Sequence, residues 1–112
     1  MAKPAQRSYS RYAREATELL GLTIHNARVE RDLTVADVAE RAGVSRGLVR
    51  RIEKGEMGSS IGAAFEVAAI VGLRLFEAEP ATLTRYLSME RDKLTLLPKS
   101  VRTGRTKVKD DF

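Results

Sequence analysis

A chain of 112 residues with no cysteine and a single histidine has room for one compact core and no material for a disulfide framework, a thiolate metal site or a cysteine nucleophile. The net charge of +5 is unevenly placed: Lys3, Arg7, Arg11 and Arg14 face only Glu15 at one end, Lys99, Arg102, Arg105, Lys107 and Lys109 face only Asp110 and Asp111 at the other, and the stretch between is close to neutral. No apolar run approaches the roughly 20 residues of a membrane span, and Met1 to Ser10 lacks the apolar stretch of a signal peptide, so a soluble, cytoplasmic chain with no membrane contact is expected. Basic ends hold polyanions by releasing condensed counterions, and they also serve as solubilising tails; composition leaves both readings open.

The polar segment 1–10, with Pro4, reads as a flexible basic arm. Ser10 can cap a helix, and Leu20, Ile24 and Ala27 recur at helical spacing, which predicts a first helix over about 11–31. Thr34 followed three residues later by Asp37 has the form of a capping box, and Val35, Val38, Ala39 and Ala42 supply a buried face for a second helix over 35–42. Gly43 stands where a left-handed residue ends a helix, and Ser45 can cap the next only two residues on. The third helix, 46–54, has Leu48, Val49 and Ile52 to bury and Arg46, Arg50 and Arg51 to expose before Gly55 stops it.

Ser60 caps a fourth helix over 61–72, in which Ile61, Ala64, Phe65, Ala68, Ala69 and Val71 predict a centrally packed element. Leu73 and Leu75 alternate with polar neighbours, Phe76 alongside, so residues 73–78 could form a short strand, which needs a partner such as its own copy across a dimer axis. Pro80 suits the first turn of a C-terminal helix over 81–95, in which Leu83, Leu87, Glu90 and Leu94 share a face. Pro98 ends it, and residues 98–112 read as a disordered basic tail. The organisation expected is an arm at 1–10, a domain at 11–78, a helix at 79–97 for dimer or partner contact, and the tail.

Catalytic material is scarce. His25 has no second histidine or cysteine with which to hold a metal, and on such a helix it reads as a packed or surface residue. Gly55, Gly58 and Gly62 lack the Gly-Lys-Ser/Thr of a phosphate loop. No enzyme, cofactor or metal site is expected. Two short helices joined by a tight glycine turn meet a different requirement, that of setting one helix into the major groove of DNA while the other crosses the backbone.

The segment from Leu33 through Val-Ala at 38–39, Gly-Val-Ser at 43–45 and Ile-Glu-Lys-Gly at 52–55 resembles the Xre and Cro/C1 family of helix-turn-helix regulators over about residues 20–73. The resemblance implies an all-α, lambda-repressor-like bundle of about five helices, with Arg28 late in helix 1 paired to Glu53 at the end of the recognition helix. It places Ser45 to Glu53 in the groove, with Arg46, Gly47, Arg50 and Arg51 as candidate base contacts on a site containing guanine, since arginine fits the two major-groove acceptors of that base. Any of these arginines could instead touch phosphate alone. Gly47 stands where relatives often carry a base-reading side chain. Thr34, Ser45, Ser59 and Ser60 are candidate phosphate contacts at helix starts. The chain departs from the family at Val35, where glutamine is common, and at Glu56 and Met57, where basic residues are common.

One recognition helix offers few base contacts, so a homodimer on a palindromic double-stranded operator is expected, with Leu73, Leu75, Phe76, Leu83 and Leu87 as its interface. Beyond the domain, Leu-Pro-Lys-Ser-Val-Arg at 97–102 and the terminal Lys-Asp-Asp-Phe are similar to the end of HipB-like antitoxins. That similarity implies an autorepressor that also binds a HipA-like serine/threonine kinase toxin; the alternative is a stand-alone repressor with no toxin partner.

Overall fold

The computed structural model describes residues 8–76, 79–99 and 101. Five helices follow in order, α1 (Arg11–Glu30), α2 (Val35–Ala42), α3 (Arg46–Glu53), α4 (Ile61–Ile70) and α5 (Pro80–Leu96), and no strand occurs among the described residues. The chain divides into two compact units, Met1–Leu75 and Phe76–Phe112.

Local chemistry sets the ends of the first four helices. Ser10, Thr34, Ser45 and Ser60 each occupy an extended N-cap, and each hydroxyl accepts the amide three residues on. At Thr34 the box is complete, because the Asp37 carboxylate accepts the Thr34 amide at 2.9 Å while the Asp37 amide donates to the threonine hydroxyl at 3.0 Å. All four helices then close with the same motif, in which an amide bonds back five residues to a carbonyl of the last turn: Leu33 to Arg28, Val44 to Ala39, Glu56 to Arg51 and Leu73 to Ala68. The residue before each of these amides is left-handed, and it is Asp32 in the first and Gly43, Gly55 and Gly72 in the others. At Gly43 this conformation lets α2 reverse into the cap of α3 within three residues, which is why the turn is so short.

The core of the first unit is built from Ile24 and Ala27 of α1, Val38 and Ala39 of α2, Val49 and Ile52 of α3, and Val67, Ala68 and Val71 from α4 and its end. No charged or polar residue is buried among the described residues. Aliphatic residues of small and medium volume let four short helices approach closely, and Leu20, Leu33, Val44 and Leu48 seal the margins.

Two expectations are corrected. The fourth helix is not packed on all sides: Val67, Ala68 and Val71 are buried, whereas Ile61 is 75 % and Phe65 38 % exposed and Ala69 is exposed. Its uniform hydrophobicity carries no information about which side faces in. It also ends at Ile70, because the closing motif begins at Val71 and Gly72. Second, residues 73–78 form no strand: Leu73 and Arg74 are irregular, Leu75 and Phe76 lie in a turn, and 77 and 78 fall outside the described residues. A strand needs a ladder of partner hydrogen bonds, and the chain by itself offers none.

The second unit contributes α5, a 17-residue helix with proline in its first turn and no buried residue. The predicted arm and tail lie outside the described residues except for Ser8 to Ser10, Pro98, Lys99 and Val101.

Candidate nucleic-acid interface

The angle of α3 is fixed from α1 at both ends of a short contact. The Arg28 guanidinium forks onto Glu53 at the end of α3, Nε donating to Oε2 at 2.6 Å and Nη2 to Oε1 at 3.1 Å. Its remaining nitrogen, Nη1, donates to the Leu33 carbonyl at 2.9 Å, so one side chain ties the end of α1, the approach to α2 and the end of α3. Both side chains are nearly covered, at 11 % and 8 % exposure. Burial raises the Glu53 carboxyl, but hydrogen bonds from Arg28 and His25 outweigh it and hold the group below the ordinary carboxylate range. The hydrogen bond to Glu53 correspondingly raises Arg28 above its already high value.

His25, read from the sequence as a packed or surface residue, is part of this cluster. Its Nδ1 lies 2.8 Å from Glu53 Oε1, a contact in which the ring donates to the carboxylate. The signal was present in the spacing, since His25 stands one turn before Arg28 on the same face of α1. A second feature has no counterpart in the sequence reading. Gly21 of α1 lies against the backbone at the end of α3, where a Cβ would stand 2.6 Å from the Ile52 carbonyl oxygen and 2.7 Å from that of Glu53. Gly55 meets α1 in the same way, its missing Cβ 2.8 Å from Glu18 Cα.

Held by this backbone contact, α3 buries Val49 and Ile52 and turns Arg46, Arg50 and Arg51 outward. The three arginines are not equivalent. Arg46 and Arg50, one turn apart, line one open groove of about 540 Å³ together with Thr34 and Val35 of the α2 start, and neither makes an ion pair with any described residue. Arg51 leans the other way. Its Nη1 would lie 3.4 Å from a Cβ at Gly47, and its Nε is 3.9 Å from Glu56. Gly47 is therefore half-covered by the arginine one turn on rather than open.

Thr34, Ser45 and Ser60 have spent an acceptor lone pair on capping and keep an O–H to donate, beside the first-turn amides of their helices that the cap does not take up. Ser59 differs: its hydroxyl oxygen is buried and has no hydrogen-bond partner among the described residues, so in this orientation it faces inward. Of the residues read as a dimer surface, Leu73 packs at the edge of the core and Leu75 is exposed in the same unit, while Phe76, Leu83 and Leu87 belong to the second unit and are exposed.

A capped helix, a three-residue turn opened by a left-handed glycine and a second helix with one side buried and the other carrying two cations free of ion pairs among the described residues define the helix-turn-helix class of DNA-binding domain. Residues 24–77 match the family model described as Helix-turn-helix, and the helices described over this stretch belong to an all-α bundle. No curated protein and no solved structure matches the chain. No described helix is long and apolar enough to cross a membrane.

Proposed function

We propose that this protein is a cytoplasmic transcriptional repressor that binds a palindromic double-stranded operator as a homodimer and reads it with α3. The observation that carries the reading is the arrangement of Arg46 and Arg50, one turn apart, exposed and without an ion pair among the described residues, on a helix whose other side is locked to α1 through Arg28 and Glu53. Two guanidinium groups one turn apart on a fixed helix suit the acceptor pairs of guanine at neighbouring base pairs. Arg51 and the backbone at Gly47 complete the base-facing side, and Thr34, Ser45 and Ser60 with their helix amides supply phosphate contacts. For Ser59 that role requires its hydroxyl to turn outward.

Fluorescence anisotropy with DNA from immediately upstream of the gene, against a scrambled duplex at two salt concentrations, tests this. Preferential binding that Arg50→Ala weakens on the cognate duplex alone supports readout by α3. Equal, steeply salt-dependent binding to both duplexes overturns it and leaves only a polyelectrolyte contact. The finer reading is an autorepressing antitoxin that also binds a HipA-like kinase toxin, supported by the sequence similarity of residues 97–112. Co-purification with the neighbouring gene's product separates it from a stand-alone repressor.

A further inference from the structure

The groove beside Arg46 and Arg50 is cationic on one wall and apolar on the other, and the apolar wall comes from outside the recognition helix. Val29, Leu33, Val35 and Ala36 line it, from the end of α1, the link after it and the first turn of α2. Val35 is the first residue of α2 and half-buried, so its methyl groups are held by the core margin rather than free to fold away. Thr34, a phosphate contact in the reading above, also lines the groove, but on the side of Val29 and Leu33 the Arg28 cation is committed to Glu53 and Asp32, held in a left-handed conformation, presents a carboxylate that repels a phosphate.

A base edge fits better than the backbone does. Of the groups that base pairs present in the major groove, the C5-methyl of a pyrimidine is the one apolar group, and it gains from contact with an aliphatic side chain whereas an amino or carbonyl group loses its water there without a partner. Resting on the DNA-binding reading, we infer that Val35, with Ala36, contacts the C5-methyl group of a pyrimidine next to the base read by Arg46 or Arg50, which makes the start of α2 a specificity determinant. Thymine and 5-methylcytosine carry this group alike.

The test begins with selection of a binding site from a random duplex library by the full-length native chain, followed by a scan replacing each thymine with deoxyuridine. One symmetry-related thymine per half-site is expected to lose about fourfold in affinity on demethylation, the worth of one methyl group at ~0.8 kcal/mol. In Val35→Ala, which withdraws both methyl groups, and in Val35→Asn, which replaces them with a polar amide of similar size, the difference between thymine and uracil at that position should disappear while the sensitivity to Arg50→Ala remains. A circular dichroism melt confirms which variant is folded. At the same position, recovery on 5-methylcytosine over cytosine assigns the methyl alone, and absence of recovery assigns thymine. A flat uracil scan, or a sensitive position that persists in both Val35 variants, overturns the inference with DNA readout intact. Selection that returns no preferred site overturns the underlying DNA reading itself.

Discussion

Replacing Gly21 with alanine should destabilise the protein even though alanine is the better helix former. Taken alone, glycine to alanine inside a helix is worth about 1 kcal/mol in favour of the variant. At Gly21, however, the new methyl group would sit 2.6 and 2.7 Å from two backbone carbonyl oxygens of α3, and ordinary contact begins near 3.4 Å. Neither oxygen belongs to a side chain that could swing aside, so α1 and α3 must separate along the line that also carries the Arg28–Glu53 fork. Overpacking of this kind costs about 1–3 kcal/mol, and loss of fit around the fork places this site at the upper end. The net expectation is a loss of about 2 kcal/mol, or a Tm lower by roughly 8–16 °C for a domain of this size. Thermal and urea denaturation followed by circular dichroism measure it. Gly62→Ala is the control, because nothing lies within 4 Å of a Cβ there, and it should be neutral or stabilising by about 0.5–1 kcal/mol. A Gly21→Ala variant as stable as Gly62→Ala would refute the idea that close backbone approach fixes α3.

Glu53 is held below its ordinary value, so its contribution to stability is complete above about pH 4.5 and is lost as pH falls through the lowered folded-state value. Acid titration of the fold should therefore show a destabilising limb below that pH which is reduced in Glu53→Gln. Arg28→Ala leaves a nearly covered carboxylate with only His25 as donor, and should cost about 2–4 kcal/mol, somewhat under the figure for a wholly buried pair; chemical denaturation at neutral pH reads this directly. Glu56→Gln removes the acidic neighbour of an exposed arginine at 3.9 Å, so stability should change by less than about 0.5 kcal/mol. Affinity for scrambled duplex should nevertheless rise, with a steeper dependence on salt as Arg51 becomes available to phosphate. An unchanged salt slope would mean that Arg51 does not approach the backbone.

What the sequence determines here is local. The capping box of Thr34 and Asp37, the caps at Ser45 and Ser60 and the reversal at Gly43 act between residues three to five apart, so the type and near-boundaries of the five helices follow from the residue order. Amphipathic periodicity likewise decides that Val49 and Ile52 go inward and the arginines outward, because a helix with few apolar residues has one way to bury them. Periodicity fails where it is absent. The evenly apolar α4 could have faced its neighbours with any side, and only packing turned Val67 and Ala68 inward and left Ile61 exposed.

Residues 73–78 have the alternation of a strand, but strand formation depends on a partner ladder that no local signal guarantees. The site divides along the same line. Which residues α3 turns to its exposed side is a matter of helical phase, whereas the neighbours of that helix are set by contacts across gaps of ten positions or more: Gly21 against Ile52, His25 and Arg28 against Glu53, Val35 beside Arg46 and Arg50. Such contacts depend on the distance and angle between helices, and those quantities exist only once the whole core has closed.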